Sequence, residues 1–288
     1  MASPKGPRVI LITGATSGVG LATAKVLLSK PTSNAEGPYH VIITGRDPAK
    51  LQAAVSSILA DTATNESDAA SRLTSISLEV TDPASIASAV SFVTDKFQRL
   101  DALINNAALS GSTIDDMFAS YTAVLATNVL GPVAVASAFR PLLLRSDNPY
   151  SVYVSSSVGS LTQREAAARE AATTGKKPAL PEPKKPGLYR ASKAALNMVM
   201  LDEFAQFGWQ EGQIAPAPGA EGKKLKVLAM CPGFVVSNLR GTSEELRSGW
   251  GRAGDPAVSG ELVWAILEGQ RDADVGKLVA KDGQIYAW

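Results

Sequence analysis

The sequence has 288 residues, of which 45% are hydrophobic and 19% charged, the composition of a soluble globular protein with a sizeable core. Its formal net charge of +1 gives no electrostatic case for a nucleic acid or an acidic membrane as the main partner. The single cysteine, Cys231, excludes an internal disulfide framework. With one cysteine and one histidine, His40, the chain has too few of the usual zinc ligands, so we expect no bound metal.

Two further classes of protein are disfavoured by the same inspection. His40 opens an apolar run, which favours a structural strand residue over the base of a Ser-His-Asp hydrolase. The N-terminal residues lack the uninterrupted apolar region and cleavage site of a secretory signal, and we find no apolar stretch of about 18 residues elsewhere. We therefore expect a cytoplasmic protein with neither a membrane nor a nucleic acid as partner.

Short β-branched runs and helical patterns alternate along the chain. Buried strands are predicted at 8–14, 40–45, 73–80, 102–105, 150–156, 225–230 and 276–280. Helices are predicted at 19–30, at 47–60 with Asp47 as N-cap, at 82–97, and at 117–144 with an interruption near Gly131 and Pro132. This alternation predicts an α/β fold in one domain (1–288), a Rossmann-type doubly wound parallel sheet of about seven strands with helices on both faces.

The run TGATSGVG (13–20) follows the first strand and opens the first helix. Glycines allow a tight turn close to a pyrophosphate, which the helix N-terminus attracts through its free N–H groups. An ordinary glycine-rich turn is the alternative. We predict a dinucleotide site here, with contacts from Gly14, Ser17, Gly18, Val19 and Gly20.

The second strand ends in Thr44, Gly45 and Arg46, where an NAD enzyme typically has an acidic residue for the ribose 2′-hydroxyl. A guanidinium in that place can pair with a 2′-phosphate and stack on adenine. The alternative is a solvated arginine beside Asp47. We predict NADP(H) as the cofactor.

The segment YRASK (189–193) places Tyr189 and Lys193 one turn apart on one helix face. A free tyrosine has a pKa of about 10, and a neighbouring ammonium lowers that pKa by favouring the phenolate. Such a pair suits proton transfer to or from a substrate oxygen.

The T-G-x-x-x-G-x-G spacing and the alternating elements resemble the short-chain dehydrogenase/reductase family, in its compact single-domain branch. The resemblance covers nearly the whole chain and is carbonyl reductase-like, with an insertion before the tyrosine. It implies cofactor contacts from LEV (78–80), INNAA (104–108) and CPGFVVSN (231–238), by Val80, Asn105, Ala107, Val235 and Ser237. Three positions depart from the family pattern: Glu79 replaces Asp, Ala108 replaces Gly, and Ser237 replaces Thr.

The same resemblance implies the catalytic roles. Tyr189 would protonate a carbonyl oxygen, and Lys193 would also bind the nicotinamide ribose. Ser156 would orient the oxygen, with Ser157 as an alternative, while Ser155 is expected to point the other way. Asn128 would hold a water of the proton relay, its alternative being a helix-kink residue.

Two segments are expected to shape the substrate site. In simple members of the family the serine and the tyrosine lie close in sequence, and here residues 160–188 intervene as a predicted lid insertion, which favours a monomer over a dimer. A second insertion is predicted as a surface loop at 211–224. The substrate loop is predicted at 238–256, where Leu246 and Trp250 either line an apolar pocket or pack locally.

These features favour an NADPH-dependent reductase of ketones or aldehydes, with a small carbonyl or alcohol compound as its partner. One alternative is an alcohol dehydrogenase working oxidatively. Another is a non-catalytic, NADP(H)-sensing regulatory protein, which would need no proton donor.

Overall fold

A central sheet organises the part of the chain that the computed structural model describes, residues 6–30, 37–61, 66–175, 187–208 and 224–288. Within these residues the sheet has eight strands, in the order β3-β2-β1-β4-β5-β6-β7-β8. They are β1 (Arg8–Ile12), β2 (Tyr39–Gly45), β3 (Leu73–Ser77), β4 (Ala102–Asn105), β5 (Tyr150–Val154), β6 (Lys226–Cys231), β7 (Leu278–Ala280) and β8 (Ile285–Tyr286). Every pair is parallel except β7 with β8, so the predicted doubly wound fold is confirmed.

Helices cover both faces of the sheet. They are α1 (Gly18–Ser29), α2 (Pro48–Asp61), α3 (Glu66–Ser71), α4 (Pro83–Phe97), α5 (Met117–Leu125), α6 (Gly131–Leu143), α7 (Leu161–Thr174), α8 (Leu188–Phe207), α9 (Glu244–Arg247) and α10 (Ala257–Leu267). Successive strand residues point to opposite faces, so Ile10 and Ile12 of β1 join the core with α1, α2 and α10, while Val9 and Leu11 join the core with α4, α6 and α8.

Several observed strands are shorter than predicted: β1 ends at Ile12, β5 ends at Val154 and β7 begins at Leu278. The predicted strand 73–80 ends at Ser77, because the partner strand β2 ends at Gly45, which pairs with Ser77. The two-residue strand β8 was not predicted, since Ile285 and Tyr286 are too few to show an alternating pattern.

The helix predicted at 117–144 is continuous, and its irregularity lies before the predicted position. Residues Ala126–Leu130 form a π-helical turn between α5 and α6. Pro132 falls in the first turn of α6, where a missing N–H costs no hydrogen bond. By length and composition alone this helix, Met117–Leu143, could cross a membrane, whereas the sequence analysis expected no such apolar stretch. Its residues Val135 and Phe139 pack in the core against the sheet.

The predicted lid insertion is described only in part. Its first half forms α7, whose side chains are all exposed. Ser160 caps α7 by accepting from the Gln163 N–H at 3.1 Å, and its hydroxyl donates to the Ala287 carbonyl at 2.5 Å. Residues 176–186 of the insertion, and nearly all of the surface loop predicted at 211–224, lie outside the described residues.

Candidate functional site

The predicted dinucleotide turn lies at the carboxyl ends of β1 and β4, where the strand order of the sheet reverses. Gly14 has a φ of +65°, and a Cβ added there would come within 2.8 Å of the Ala107 Cα. A Cβ at Gly20 would lie 2.5 Å from the Asn106 Nδ2. Glycine at these two positions therefore lets the turn after β1 pack directly on the turn after β4.

Asn106 joins these two turns, a role that the sequence analysis missed. Its Nδ2 donates to the carbonyls of Thr13 and Gly14 at 2.8 and 3.0 Å. In return the Thr13 hydroxyl accepts from the backbone N–H groups of Asn106 and Ala107 at 2.9 and 3.0 Å. The doubled asparagine of INNAA was the available signal.

Several groups at this edge fit a bound dinucleotide. Asn105 is 3% exposed, yet neither polar atom of its amide has a hydrogen-bond partner among the described residues. Leaving a buried amide unpaired costs about 1–3 kcal/mol, so a polar ligand beside it would be stabilised. Ser17 makes no capping bond with its hydroxyl, and Gly18 and Val19 begin α1, whose N-terminus attracts phosphate.

Arg46 and its neighbours follow β2 at the same edge. The Arg46 side chain is 67% exposed, and its Nη1 donates to the Glu79 Oε2 at 3.3 Å. Burial raises the pKa of Glu79, but hydrogen bonds from Thr81 and Arg46 outweigh it, so the pKa is lowered overall. Asp47 caps α2, as predicted, by accepting from the N–H groups of residues 49 and 50 at 3.0 and 3.2 Å. The Arg46 guanidinium therefore remains open to solvent with Glu79 as its acidic partner.

The other predicted cofactor contacts lie around the same cleft. Val80 is buried, and its Cγ2 lies 2.9 Å from the place that a Cβ would occupy at Gly131. Val235, after β6, is buried as well. The Ser237 Cβ lies 3.0 Å from the place of a Cβ at Gly18, so the segment after β6 touches the dinucleotide turn directly.

Tyr189 and Lys193 lie on the first turns of α8. Lys193 is 2% exposed, its Nζ donates to the Val154 carbonyl at 2.7 Å, and the same Nζ lies 5.6 Å from the centre of the Tyr189 ring. Burial lowers the pKa of Lys193 to about 7, against the opposing effect of Cys231.

The pKa of Tyr189 differs from the expectation. Burial raises the pKa of the hydroxyl, the nearby Cys231 raises it further, and Arg240 lowers it. The expected lowering by Lys193 does not prevail in this structure, because desolvation of the phenolate is the largest effect and the Lys193 Nζ is held at the Val154 carbonyl.

Asn128 lies in the π-helical turn and is fully buried. Its Nδ2 donates to the Leu109 carbonyl at 2.8 Å and to the Ser192 hydroxyl at 2.9 Å, and its Oδ1 accepts from the Leu109 N–H at 2.8 Å. The Ser192 hydroxyl donates to the Tyr189 carbonyl at 2.8 Å. Asn128 is thus linked to α8, the helix that carries Tyr189, through Ser192, which the sequence analysis did not single out. Because both amide N–H groups are used, a water bound by this amide would have to donate to its oxygen.

The serine-bearing segment follows β5. Ser155 is buried, and its hydroxyl donates to the Asn197 side chain of α8, so it is already hydrogen-bonded within the protein. Ser156 precedes a short 3₁₀ turn, and its hydroxyl accepts weakly from the Val158 N–H at 3.4 Å. The Ser157 N–H donates to the Cys231 Sγ at 3.2 Å. Both Ser156 and Ser157 are half-buried, and the choice of Ser156 stays a prediction.

This segment is held against α8 at Gly159. A Cβ there would lie 2.7 Å from the carbonyl carbon of Lys193 and 2.9 Å from the Ala194 nitrogen. Further along α8, buried Glu203 accepts from the hydroxyls of Ser151 and Tyr153 on β5, at 2.6 and 2.8 Å. These contacts fix the helix of Tyr189 relative to the strand that precedes Ser156.

The predicted substrate loop follows β6 and packs on the loop after β4. Leu246 is half-buried and packs on Gly241, where a Cβ would come within 2.6 Å of its Cδ1, as the local-packing alternative expects. Trp250 is 44% exposed. The Ser110 hydroxyl donates to the Leu239 carbonyl at 2.6 Å, so the loop after β4 meets the loop after β6.

A pH dependence of stability follows from buried Lys193. Its pKa is about 7 in the folded chain and about 10.5 otherwise, so between these values the unfolded chain binds more protons. The free energy of unfolding should therefore rise with pH across this window, by at most about 1.4 kcal/mol per pH unit. The raised pKa of Tyr189 acts only above its ordinary value of about 10, outside most of this window.

We expect the wild type to gain stability relative to Lys193→Met between about pH 7 and about pH 10. Urea denaturation of both proteins without cofactor at a series of pH values measures this difference. Parallel pH profiles for the two proteins would contradict the expectation.

Comparisons with known proteins identify the family of the chain. A family profile described as short chain dehydrogenase matches residues 8–175. The short-chain dehydrogenase/reductase tropE of Talaromyces stipitatus is 34% identical over 282 residues, covering 96% of this chain and 97% of that protein. The short-chain dehydrogenase anuI of Penicillium roqueforti is 30% identical, covering 97% of each. The crystal structure of NADPH-bound carbonyl reductase from chicken fatty liver has a TM-score of 0.71 and 26% identity, covering 98% of this chain and 99% of that one. The chain therefore belongs to the short-chain dehydrogenase/reductase family of oxidoreductases.

Proposed function

We propose that this protein is an NADPH-dependent reductase of ketone or aldehyde carbonyls, with Tyr189 as the proton donor. The observation that carries the proposal is the arrangement of α8. Tyr189 is linked to Asn128 through Ser192, and Lys193 packs against the Ser156 turn at Gly159. The similarity to a carbonyl reductase that binds NADPH supports the proposed reaction class and cofactor.

Each residue then has a chemical task. The bound nicotinamide supplies the hydride. Tyr189 gives its proton to the substrate oxygen, and the Ser156 hydroxyl orients that oxygen. Lys193, with a pKa of about 7, can return a proton to Tyr189 near neutral pH and can donate to the ribose hydroxyls.

The preference for NADP(H) rests on Arg46. Its exposed guanidinium follows β2, and its acidic partner within the described residues is Glu79. The Glu79 carboxylate also accepts from the Thr81 N–H and hydroxyl at 3.2 and 2.9 Å. A 2′-phosphate can pair with Arg46, whereas no carboxylate at the end of β2 itself is placed to receive a ribose 2′-hydroxyl.

The oxidative alcohol dehydrogenase alternative uses the same residues with the proton moving in reverse. A non-catalytic NADP(H) sensor would not require the link between Asn128 and Tyr189. The cytoplasmic location and a monomeric or dimeric state stay predictions from the sequence.

The test is the rate of NADPH and of NADH consumption with a panel of ketones, aldehydes and quinones. We expect faster turnover with NADPH, and we expect Arg46→Ser to lower the NADPH-over-NADH ratio of kcat/KM by roughly tenfold or more, the worth of one charged hydrogen bond. Lys50→Ser removes a neighbouring exposed cation and serves as the control, with the ratio nearly unchanged. Faster turnover of the wild type with NADH would refute the cofactor assignment.

A further inference from the structure

Arg240 occupies an unusual position in the loop after β6. It ends the 3₁₀ turn Asn238–Arg240, and its guanidinium donates to three backbone carbonyls. Nε donates to Leu246 at 2.8 Å, while Nη2 donates to Val235 at 3.0 Å and to Arg247 at 2.7 Å. The guanidinium carbon also lies 4.4 Å from the centre of the Phe234 ring, within range of a cation–π contact.

The three carbonyls belong to two different walls of the cleft. Val235 lies on the segment predicted to face the nicotinamide, and Leu246 and Arg247 lie on α9 in the substrate loop. A planar guanidinium can hold several acceptors in fixed directions, which the single ammonium of a lysine cannot do. Arg240 therefore fastens the cofactor side of the loop to its substrate side.

The turn that carries Arg240 is also docked on the opposite wall. The Ser112 hydroxyl donates to the Arg240 carbonyl at 3.1 Å, and the neighbouring Ser110 donates to the Leu239 carbonyl. Leu109, which precedes Ser110, is held by Asn128 through both its N–H and its carbonyl. Hydrogen bonds, together with the peptide link between Leu109 and Ser110, thus connect Arg240 to Asn128.

Arg240 also acts on Tyr189 electrostatically. Its positive charge lowers the pKa of the Tyr189 hydroxyl, and Tyr189 raises the pKa of Arg240 against the effect of burial. Among the described residues, Lys193 on the same helix and Cys231 at the end of β6 are further titratable groups near Tyr189, and Arg190 follows it in the sequence of α8. The π-helical turn and the 3₁₀ turn packed on α8 carry no titratable side chain.

We propose that Arg240 is a positioning residue of the reductase site, which holds the Val235 segment and the Leu246 wall in one geometry and directs a fixed positive charge toward Tyr189. This inference rests on the proposed function. It assigns to one side chain the coupling between the cofactor-facing wall and the substrate-facing wall.

The test compares Arg240→Gln and Arg240→Lys with the wild type and with Arg145→Gln, which removes an exposed arginine that follows α6 and donates to the Gln98 carbonyl at 2.8 Å. The measurements are kcat, the KM for NADPH, and the pH dependence of kcat for alcohol oxidation, in which Tyr189 must accept a proton. For Arg240→Gln we expect kcat to fall roughly ten- to hundredfold, as for a small misplacement of reacting groups, with a rise in the KM for NADPH. The pH at which the oxidative rate reaches half its maximum should move upward, because the phenolate has lost a neighbouring cation.

Arg240→Lys keeps the positive charge and a long side chain, so we expect this variant to fold. Its pH profile should stay close to that of the wild type, and its kcat should fall more noticeably. Arg145→Gln should match the wild type in all three measurements. The inference is overturned if Arg240→Gln keeps kcat and the pH profile of the wild type while Tyr189→Phe is inactive. Retained turnover in Tyr189→Phe, or a wild type that reduces no carbonyl compound with NADPH, would instead count against the proposed function.

Discussion

Tyr189→Phe is expected to lower kcat for carbonyl reduction by roughly 10³-fold, within the range that one positioned proton donor contributes. The ring and its packing on α8 are kept, and only the hydroxyl is removed. That hydroxyl makes no hydrogen bond within the described ranges, so its loss leaves no buried partner unsatisfied. The affinity for NADPH, measured by fluorescence titration, should therefore stay within about twofold and the unfolding temperature should be unchanged.

Tyr153→Phe provides the matched control. Its hydroxyl donates to Glu203 at 2.8 Å on the core side of α8, so this variant should lose about 1 kcal/mol of stability and keep kcat. The same substitution is thus expected to lower kcat without lowering stability at Tyr189, and to lower stability without lowering kcat at Tyr153. Turnover by Tyr189→Phe at the wild-type rate would remove Tyr189 from the mechanism, and loss of NADPH binding would assign it a binding role instead.

The sheet could be predicted because its signal is local. A central strand such as β1 is buried on both faces, so it needs apolar side chains at successive positions. The run that ends at Ile12 supplies them, with Ile10 in the core on one face of the sheet and Leu11 in the core on the other. Strand ends were less predictable, since the end of β3 at Ser77 depends on where its partner β2 ends. That information lies in another part of the chain.

The candidate site divides in the same way. Gly14, Gly20, Tyr189 and Lys193 could be named because turn glycines and an i, i+4 pair are visible in short segments. The doubled asparagine of INNAA pointed to Asn106, but nothing in the sequence pointed to Ser192 and Arg240, because their roles depend on carbonyls and amides brought close by the fold. The pKa of Tyr189 also escaped prediction, since the spacing to Lys193 says nothing about how deeply the hydroxyl is buried.

Gly159→Ala is expected to lower kcat by roughly 10²-fold, the cost of a displacement of about 1 Å between reacting groups. The added Cβ would lie 2.7 Å from the Lys193 carbonyl carbon and 2.9 Å from the Ala194 nitrogen, and backbone atoms of a helix cannot turn aside as a flexible side chain can. The Ser156 segment and α8 must therefore move apart. Because Ser156 precedes this contact and Lys193 forms it, one methyl group would disturb both sides of the constellation.

Comparison with a second glycine variant shows whether the effect comes from the close contact at Gly159 or from replacing a glycine in general. Overpacking of this kind costs typically about 1–3 kcal/mol, so thermal unfolding should show a lower midpoint than the wild type. Gly6→Ala is the control, since a Cβ at Gly6 meets nothing within 4 Å, and it should change neither kcat nor stability. Since Gly159 packs on α8 and not on the dinucleotide turn, the affinity for NADPH should fall less than kcat does. If Gly159→Ala retained the wild-type kcat, the packing of this turn on α8 could not be what positions Ser156 opposite Tyr189.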